Sequence, residues 1–343
     1  MDCGLTVCGT NLQLPTADDL KIKNSWRYPM ELRKLGRTGL SISPVVFGGN
    51  VFGWTADEKT SFDLLDRFFE AGFNTIDTAD VYSKWVDGHS GGESETVIGK
   101  WLKRGTVARD KAIVVTKVGH PSMDDRKLKA SWIVEAVENS LKRLQTDYID
   151  LYLSHFPDDE TPHEETLGAY AKLKEQGKIR AIGCSNYSAE QLKASLDAAA
   201  KDGLPRYDVL QPEYNLYTRD KFEGALADLC IAEDIGVISY YALAAGFLTG
   251  KYRKPEDATG SARGYRIPDY LNDKGTKVLA ALDQVAAETG ESLATIAIAW
   301  VAARPGITAP IASATSLRQL DAIIAAGKLT LTDAQMKLLN DAA

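Results

Sequence analysis

The chain has 343 residues, 44% of them hydrophobic and 25% charged, with a net charge of −7. That balance is ordinary for a globular enzyme and argues against a nucleic-acid surface or an acidic membrane as partner, and no apolar run approaches the roughly 20 residues a membrane span needs. The four cysteines (Cys3, Cys8, Cys184, Cys230) make no CxxC pair and no zinc cluster with only four histidines, so reduced thiols, no metal and a cytoplasmic compartment are expected.

Residues 1–29 contain Pro15, polar turns and mixed charge, without the basic start and apolar core of a signal peptide. They read as a loosely ordered leader. Met30 to Ser43 reads as a short hairpin with Gly36 and Gly39 at its turn, and residues 30–343 as one domain. Apolar strand patterns then begin near Val45, Asn74, Ala112, Ile149, Ile179, Asp208, Val237 and Ile307. Amphipathic stretches separate them, for example Glu58–Glu70, Ser131–Leu144, Glu164–Glu175 and Glu190–Ala200. Eight strand–helix units at intervals of about 30 residues predict an α/β protein, a single (β/α)8 TIM barrel with parallel strands. Only the step between the last two strands is much longer. It holds Leu248–Leu271, rich in Gly, Pro and charge, then helical patterns at Thr276–Glu288 and Ser292–Ala302. Two more helices, Ser316–Ala326 and Thr332–Asp341, close the chain.

In such a barrel the carboxyl ends of the strands converge on one mouth, where the chemistry sits. The second strand ends in Asp77, with Tyr82 five residues on; the third ends in Lys117, and the fourth in His155. Singly, each has a bland reading as a cap, a loop residue or a strand-end histidine; together, in order, they do not. A free tyrosine has a pKa of about 10, too high for ready proton transfer at neutral pH. A neighbouring ammonium lowers it and an imidazole can orient the substrate oxygen. Asp77 is expected to keep Lys117 charged and Lys117 to lower the phenol of Tyr82, which then serves as acid toward a carbonyl or base toward an alcohol.

Later strand ends carry Ser185-Asn186, Gln211 and Tyr240. The first three offer the donors and acceptor a carboxamide needs, and Tyr240 a flat face for stacking. Gly246 to Lys251 forms a backbone-exposing loop with a cation, suited to a diphosphate. The run Ala312-Ser313-Ala314-Thr315-Ser316 enters a helix whose N-terminus is another anion site. For substrate, Phe52, Trp54, Trp85 and Phe156 predict flat apolar walls beside Tyr82 and His155. No arginine clamp is evident among these segments, although Arg263 and Arg266 in the long insertion would supply one if it folded over.

These segments carry a resemblance. Asp77/Tyr82, Thr116-Lys117, Leu151–Pro157, Gly183–Asn186, Gln211–Asn215, Gly246–Tyr252 and the Ala-Thr-Ser entry to the helix after the last strand resemble the aldo-keto reductase superfamily, over essentially all of residues 30–343. The chain looks most like bacterial general reductases that also resemble potassium-channel beta subunits. The resemblance implies a barrel that binds NADP(H) in extended form, NAD(H) being the alternative, and a catalytic tetrad of Asp77, Tyr82, Lys117 and His155 with Tyr82 as proton donor. It further implies cofactor contacts at Gly49, Asn50, Asp77, Ser185, Asn186, Gln211, Tyr240, Leu243, Gly246, Leu248, Gly250, Lys251, Ser313, Thr315, Ser316, Arg318 and Gln319. Partners are then a small carbonyl or alcohol, with the chain a monomer or weak homo-oligomer.

The chain departs from that pattern in two places. Many relatives have Ser-Pro where this chain has Tyr241-Ala242, so one diphosphate contact is missing or made by backbone. Many have a lysine and an arginine at the adenosine 2′-phosphate, where this chain has Ser313 and Gln319, with Arg318 alongside. Tyr170-x-x-x-Lys174 fits short-chain dehydrogenases, but it lies in an amphipathic helix, and Gly48-Gly49-Asn50 lacks the G-x-G-x-x-G spacing. Two other readings stay open: a nucleotide-binding regulatory barrel like the channel subunits, and a dehydrogenase working in the alcohol direction.

Overall fold

A computed structural model describes residues 30–343 of the chain; the leader expected over residues 1–29 lies outside the described residues. The described chain opens with an antiparallel hairpin, β1 (Arg33–Lys34) and β2 (Ser41–Ile42). Eight strands follow, β3 (Val46–Gly48), β4 (Thr75–Asp77), β5 (Ile113–Val118), β6 (Ile149–Ser154), β7 (Ile179–Ser185), β8 (Val209–Gln211), β9 (Gly236–Ser239) and β10 (Ala309–Ala312). Each pairs in parallel with the next, and β10 closes onto both β3 and β9. The predicted barrel is borne out.

Around it lie α1 (Glu58–Glu70), α2 (Glu93–Lys103), α3 (Ala130–Leu144), α4 (His163–Glu175), α5 (Ala189–Asp202) and α6 (Ala225–Ala232). Next come α7 (Asp273–Thr289), α8 (Leu293–Ala302), α9 (Leu317–Ala326) and α10 (Asp333–Ala342). Side-chain caps set several starts: Asp57 accepts from Thr60 N, Ser292 from Thr295 N, and Ser188 and Thr332 form full capping boxes. The sequence pattern did not single out α2 or α6. The inward side of α2 buries Ser94 and Glu95 beside Val97, Ile98 and Trp101, which blurs its apolar stripe, and α6 is apolar nearly all round.

Two apolar layers hold the barrel. The larger lies between strands and helices, and includes Phe47, Ile76, Val114, Tyr152 and Ile182. A smaller one fills the interior with Leu35, Val46, Val115, Leu151, Leu153, Ala181, Val209 and Ile238. The interior is tight enough to require glycine at Gly183, where a Cβ would lie 2.5 Å from Val209 O and 2.7 Å from Leu153 Cδ2. The hairpin closes the amino-terminal end. Arg33 donates to Ala302 O and Thr308 O, Leu35 is buried, and Gly36 (φ +49) sits where a Cβ would come within 2.5 Å of Gly236 N. Among the described residues no helix is long and apolar enough to cross a membrane, and no group of three or more His, Cys, Asp or Glu could hold a metal.

Candidate active site

Strand alternation explains why the chemistry gathers. Side chains two apart share one face of a strand, so the interior residues Val115, Leu153, Ala181 and Val209 put Lys117, His155, Gly183 then Ser185, and Gln211 on the same inner face. Asp77, ending β4, joins them. Lys117 Nζ donates to both carboxylate oxygens of Asp77 (2.8 and 2.9 Å), to Thr78 O (2.7 Å) and to Tyr82 OH (2.9 Å). Tyr82 OH in turn donates to Asp77 Oδ2 at 3.0 Å. Acid, ammonium and phenol thus form a closed triangle, with Asp77 and Lys117 buried and the tyrosine ring half-buried in the cavity wall.

The electrostatics correct the sequence reading. Burial, then the Asp77 carboxylate, push the Tyr82 phenol well above its ordinary range, so the neighbouring ammonium does not prevail. Burial likewise pushes Lys117 down, with Asp77 opposing it. The phenol therefore holds its proton at neutral pH. His155 is pushed well below its usual value by burial, then by Lys117 and His120. Its imidazole is neutral, and with Nδ1 buried and unpartnered the nitrogen left to meet a substrate oxygen is Nε2.

The mouth opens into a cavity of about 930 Å³ lined by Tyr82, His155, Trp54, Trp85 and Phe156. The indoles of Trp54 and Trp85 meet edge to face at 5.4 Å, and His155 stacks on Phe156 at 5.3 Å. Phe52 is not part of this wall. A 3-10 turn at Gly49–Val51 follows β3, and Phe52 turns into the core, fully buried and stacked on Phe47 at 5.3 Å. Tyr170 is also core: it is fully buried and shares a hydrogen bond with Ser154 Oγ (2.8 Å), which removes the short-chain dehydrogenase reading.

Of the residues expected at a cofactor, Asn50, Asp77, Ser185, Asn186, Gln211, Tyr240, Leu243, Gly246, Lys251, Ser313, Thr315, Arg318 and Gln319 line the cavity. Tyr240 OH donates to Asn186 Oδ1 (2.7 Å), Asn186 Nδ2 to Ser185 Oγ (3.1 Å), and Ser185 Oγ to Gln211 O (2.8 Å). Gln211 Nε2 donates to Asp77 Oδ1 (2.8 Å), tying this chain to the triangle. Ala244, Ala245 and Gly246 all have positive φ (47°, 56° and 94°), but Ala244 N and Gly246 N donate to Tyr241 O (2.8 Å) and Leu243 O (2.9 Å), so the run is a self-bonded turn beside Lys251 and not the anion-binding loop the sequence suggested. At the far end Ser313 Oγ donates to Asn50 Oδ1 (2.8 Å) and Gln319 Oε1 accepts from Thr315 N (2.8 Å), whereas Arg318 is exposed and makes no ion pair among the described residues. A trio of amide and hydroxyl side chains, a lysine and an exposed guanidinium along one cavity have the chemistry to suit a dinucleotide.

Four expected contacts lie off the cavity wall. Leu248 is fully buried in the core, Ser316 is spent capping α9, and Gly250 is the αL residue ending a 3-10 turn. Gly49 is buried against β4, where a Cβ would lie 2.9 Å from Asp77 O.

A family model described as the aldo/keto reductase family matches residues 44–343. The chain belongs to the aldo/keto reductase family. It is 35% identical to an uncharacterized oxidoreductase of Bacillus subtilis, YrpG, across 91% of this chain and 95% of that one. It is 34% identical to the aldo-keto reductase YhdN of the same species (91% and 93% covered). The same figure, 34%, holds for a probable voltage-gated potassium channel subunit beta of Oryza sativa (85% and 89% covered). As an aldo/keto reductase the protein is an oxidoreductase of the NAD(P)H-dependent kind.

Three features of this aldo/keto reductase escaped the sequence. Tyr241, in the left-handed region (φ 59°), lines the mouth next to Tyr240. His120 packs edge-on against His155 at 5.1 Å. Behind Lys117 lies a buried acid pair: Glu95 accepts from Thr116 Oγ1 (2.6 Å) and Arg143 Nε (2.7 Å), whereas neither carboxyl oxygen of Asp80 has a hydrogen-bond partner. Burial, then Glu95, push Asp80 up to about 8. Because the folded value exceeds the unfolded one, stability is full below pH about 4 and is lost as pH rises toward 8, by up to about 1.4 kcal/mol per pH unit. Asp80→Asn should abolish that loss. Chemical denaturation should find the variant ahead of the parent at pH 8 and level with it near pH 4; a parent no weaker than the variant at pH 8 would refute the raised carboxyl.

Proposed function

We propose that the protein reduces aldehydes and ketones to alcohols with NADPH, and that Tyr82 is the general acid. The observation that carries this reading is the triangle of Asp77, Lys117 and Tyr82, which holds a protonated phenol at the cavity wall beside a neutral His155. When bound, the dihydronicotinamide supplies the hydride that forms the new C–H bond as the carbonyl electron pair moves onto oxygen. His155 Nε2 orients that oxygen and Tyr82 OH gives it a proton. Lys117, donating to Tyr82 OH, stabilises the charge then developing on the phenol, which regains its proton from solvent. A phenol loaded with its proton is the form that reduction needs, the same residues serve alcohol oxidation in reverse, and cofactor supply sets the direction.

Ser185, Asn186 and Gln211 would hold the carboxamide, Tyr240 would face the ring, and Lys251 would take the diphosphate. Arg318 carries the choice of NADPH over NADH, because the polar groups of Ser313 and Gln319 are engaged with Asn50 and Thr315. The direct test is consumption of NADPH with a panel of aldehydes and ketones; a protein that binds NADPH but turns over none of them is a regulatory barrel instead. In the same assay Arg318→Ala should weaken NADPH by roughly 10- to 150-fold, the worth of one charge-assisted contact of about 1.5–3 kcal/mol, and NADH far less. Equal losses for both cofactors would move the 2′-phosphate site elsewhere.

A further inference from the structure

One hydrogen-bond donor at the mouth is left over by the reduction of a carbonyl. β5 ends at Val118, and Gly119 follows with φ +88, where a Cβ would come within 2.4 Å of Leu128 Cδ2. Past that turn, His120 lines the cavity. Its imidazole meets His155 edge-on at 5.1 Å and Phe156 at 5.2 Å. Met123 N donates to His120 O (2.9 Å), and Ser122 O accepts from Lys84, in the loop that follows Tyr82. Turn, rings and loop together fix where the imidazole stands.

Its tautomer follows from Ser122. The Ser122 N–H donates to His120 Nδ1 (3.2 Å), and the Ser122 hydroxyl lies 2.8 Å from the same nitrogen. Nδ1 therefore carries the lone pair. Burial, then Lys84, push the imidazole below its usual value, so the ring is neutral and its one proton sits on Nε2. That nitrogen has no partner among the described residues, and it is not one of the buried unpartnered atoms, so it opens to the cavity. Tyr82 and His155 suffice for one carbonyl oxygen. His120 adds a third donor beside them, its tautomer held by a backbone N–H.

We propose that His120 is a specificity-determining residue whose Nε2–H reads a second oxygen, on the carbon next to the reacting carbonyl. This rests on the carbonyl-reductase reading above. Two imidazoles with centroids 5.1 Å apart, each reaching an oxygen at about 3 Å, meet atoms on neighbouring carbons rather than at opposite ends of a ligand. A ligand that covers His120 without an acceptor strips water from the N–H and leaves it unpaired. An ether, hydroxyl or keto oxygen at that place restores the bond. The ligand's flat part would lie against Trp54, Trp85 and Phe156. Flat aldehydes and ketones oxygenated at the adjacent carbon are thus favoured over their plain alkyl counterparts.

The test compares 2-methoxyacetophenone with butyrophenone, aryl ketones of nearly the same shape in which an ether oxygen replaces a methylene. Neither can give a hydride to NADP+, so binding to the NADP+-loaded protein is read by tryptophan fluorescence without turnover. The parent should bind the ether tighter by about fivefold or more and favour it likewise in kcat/KM with NADPH. His120→Phe, which keeps a flat ring against His155 and Phe156, should erase both preferences. His120→Gln, which returns an N–H at similar reach, should restore part of them. Equal binding of the two ketones by the parent overturns the proposal, and so does a preference that survives in His120→Phe. A parent that consumes no NADPH with either ketone, yet binds the ether better through His120, would strike the reductase reading alone.

Discussion

Tyr82→Phe should lower kcat by about 10²- to 10⁴-fold, the usual worth of a positioned general acid, while NADPH binds as before. The substitution removes one oxygen and keeps the ring, so contacts with Trp85 (6.0 Å between centroids) and His155 (6.2 Å) survive. Asp77 keeps its bonds from Lys117 and Gln211, which leaves the rest of the triangle standing. Steady-state kinetics beside a cofactor fluorescence titration separates the two effects. Turnover within a factor of two of the parent would remove Tyr82 from the chemistry.

Lys117→Met should be nearly as damaging to turnover, and it should also cost stability. The ammonium is fully buried and makes four hydrogen bonds, three of them to Asp77 and Tyr82. Its loss leaves a buried carboxylate without a counter-charge, a change worth about 3–5 kcal/mol in comparable pairs. Thermal melts should show the drop. The double variant Lys117→Met/Asp77→Asn, with the lone charge gone, should recover much of the stability and none of the activity. If activity returned with stability, Lys117 would be a purely structural residue.

Much of this was legible because strand alternation and polarity act locally. An Asp, a Lys and a His in place of the next apolar residue mark where the interior of a strand becomes the mouth, and a period of two fixes the face on which each points. Asp77, Lys117, His155, Ser185 and Gln211 follow from that rule and share the inner face at the mouth, whereas Tyr82 and Asn186 stand in the turns beyond the strands. The misplaced residues lie where the rule stops. Phe52 follows a 3-10 turn that reverses its direction, so the ring two places before Trp54 enters the core while Trp54 faces the cavity. Leu248 and Ser316 look available in the sequence, but packing claims one and helix capping the other. The standing of Tyr82 was misjudged because burial, a property of the assembled barrel, outweighs the adjacent ammonium.

The hairpin at the amino-terminal end has a consequence for traffic. With Leu35 in the interior and Gly36 against Gly236, the side-chain-filled barrel is closed at that end, so whatever enters it from the mouth must leave by the mouth. Two molecules that must share that mouth cannot pass one another. If one of them settles beneath the other, it has to arrive first and depart last, a constraint set far from any residue that touches a reactant.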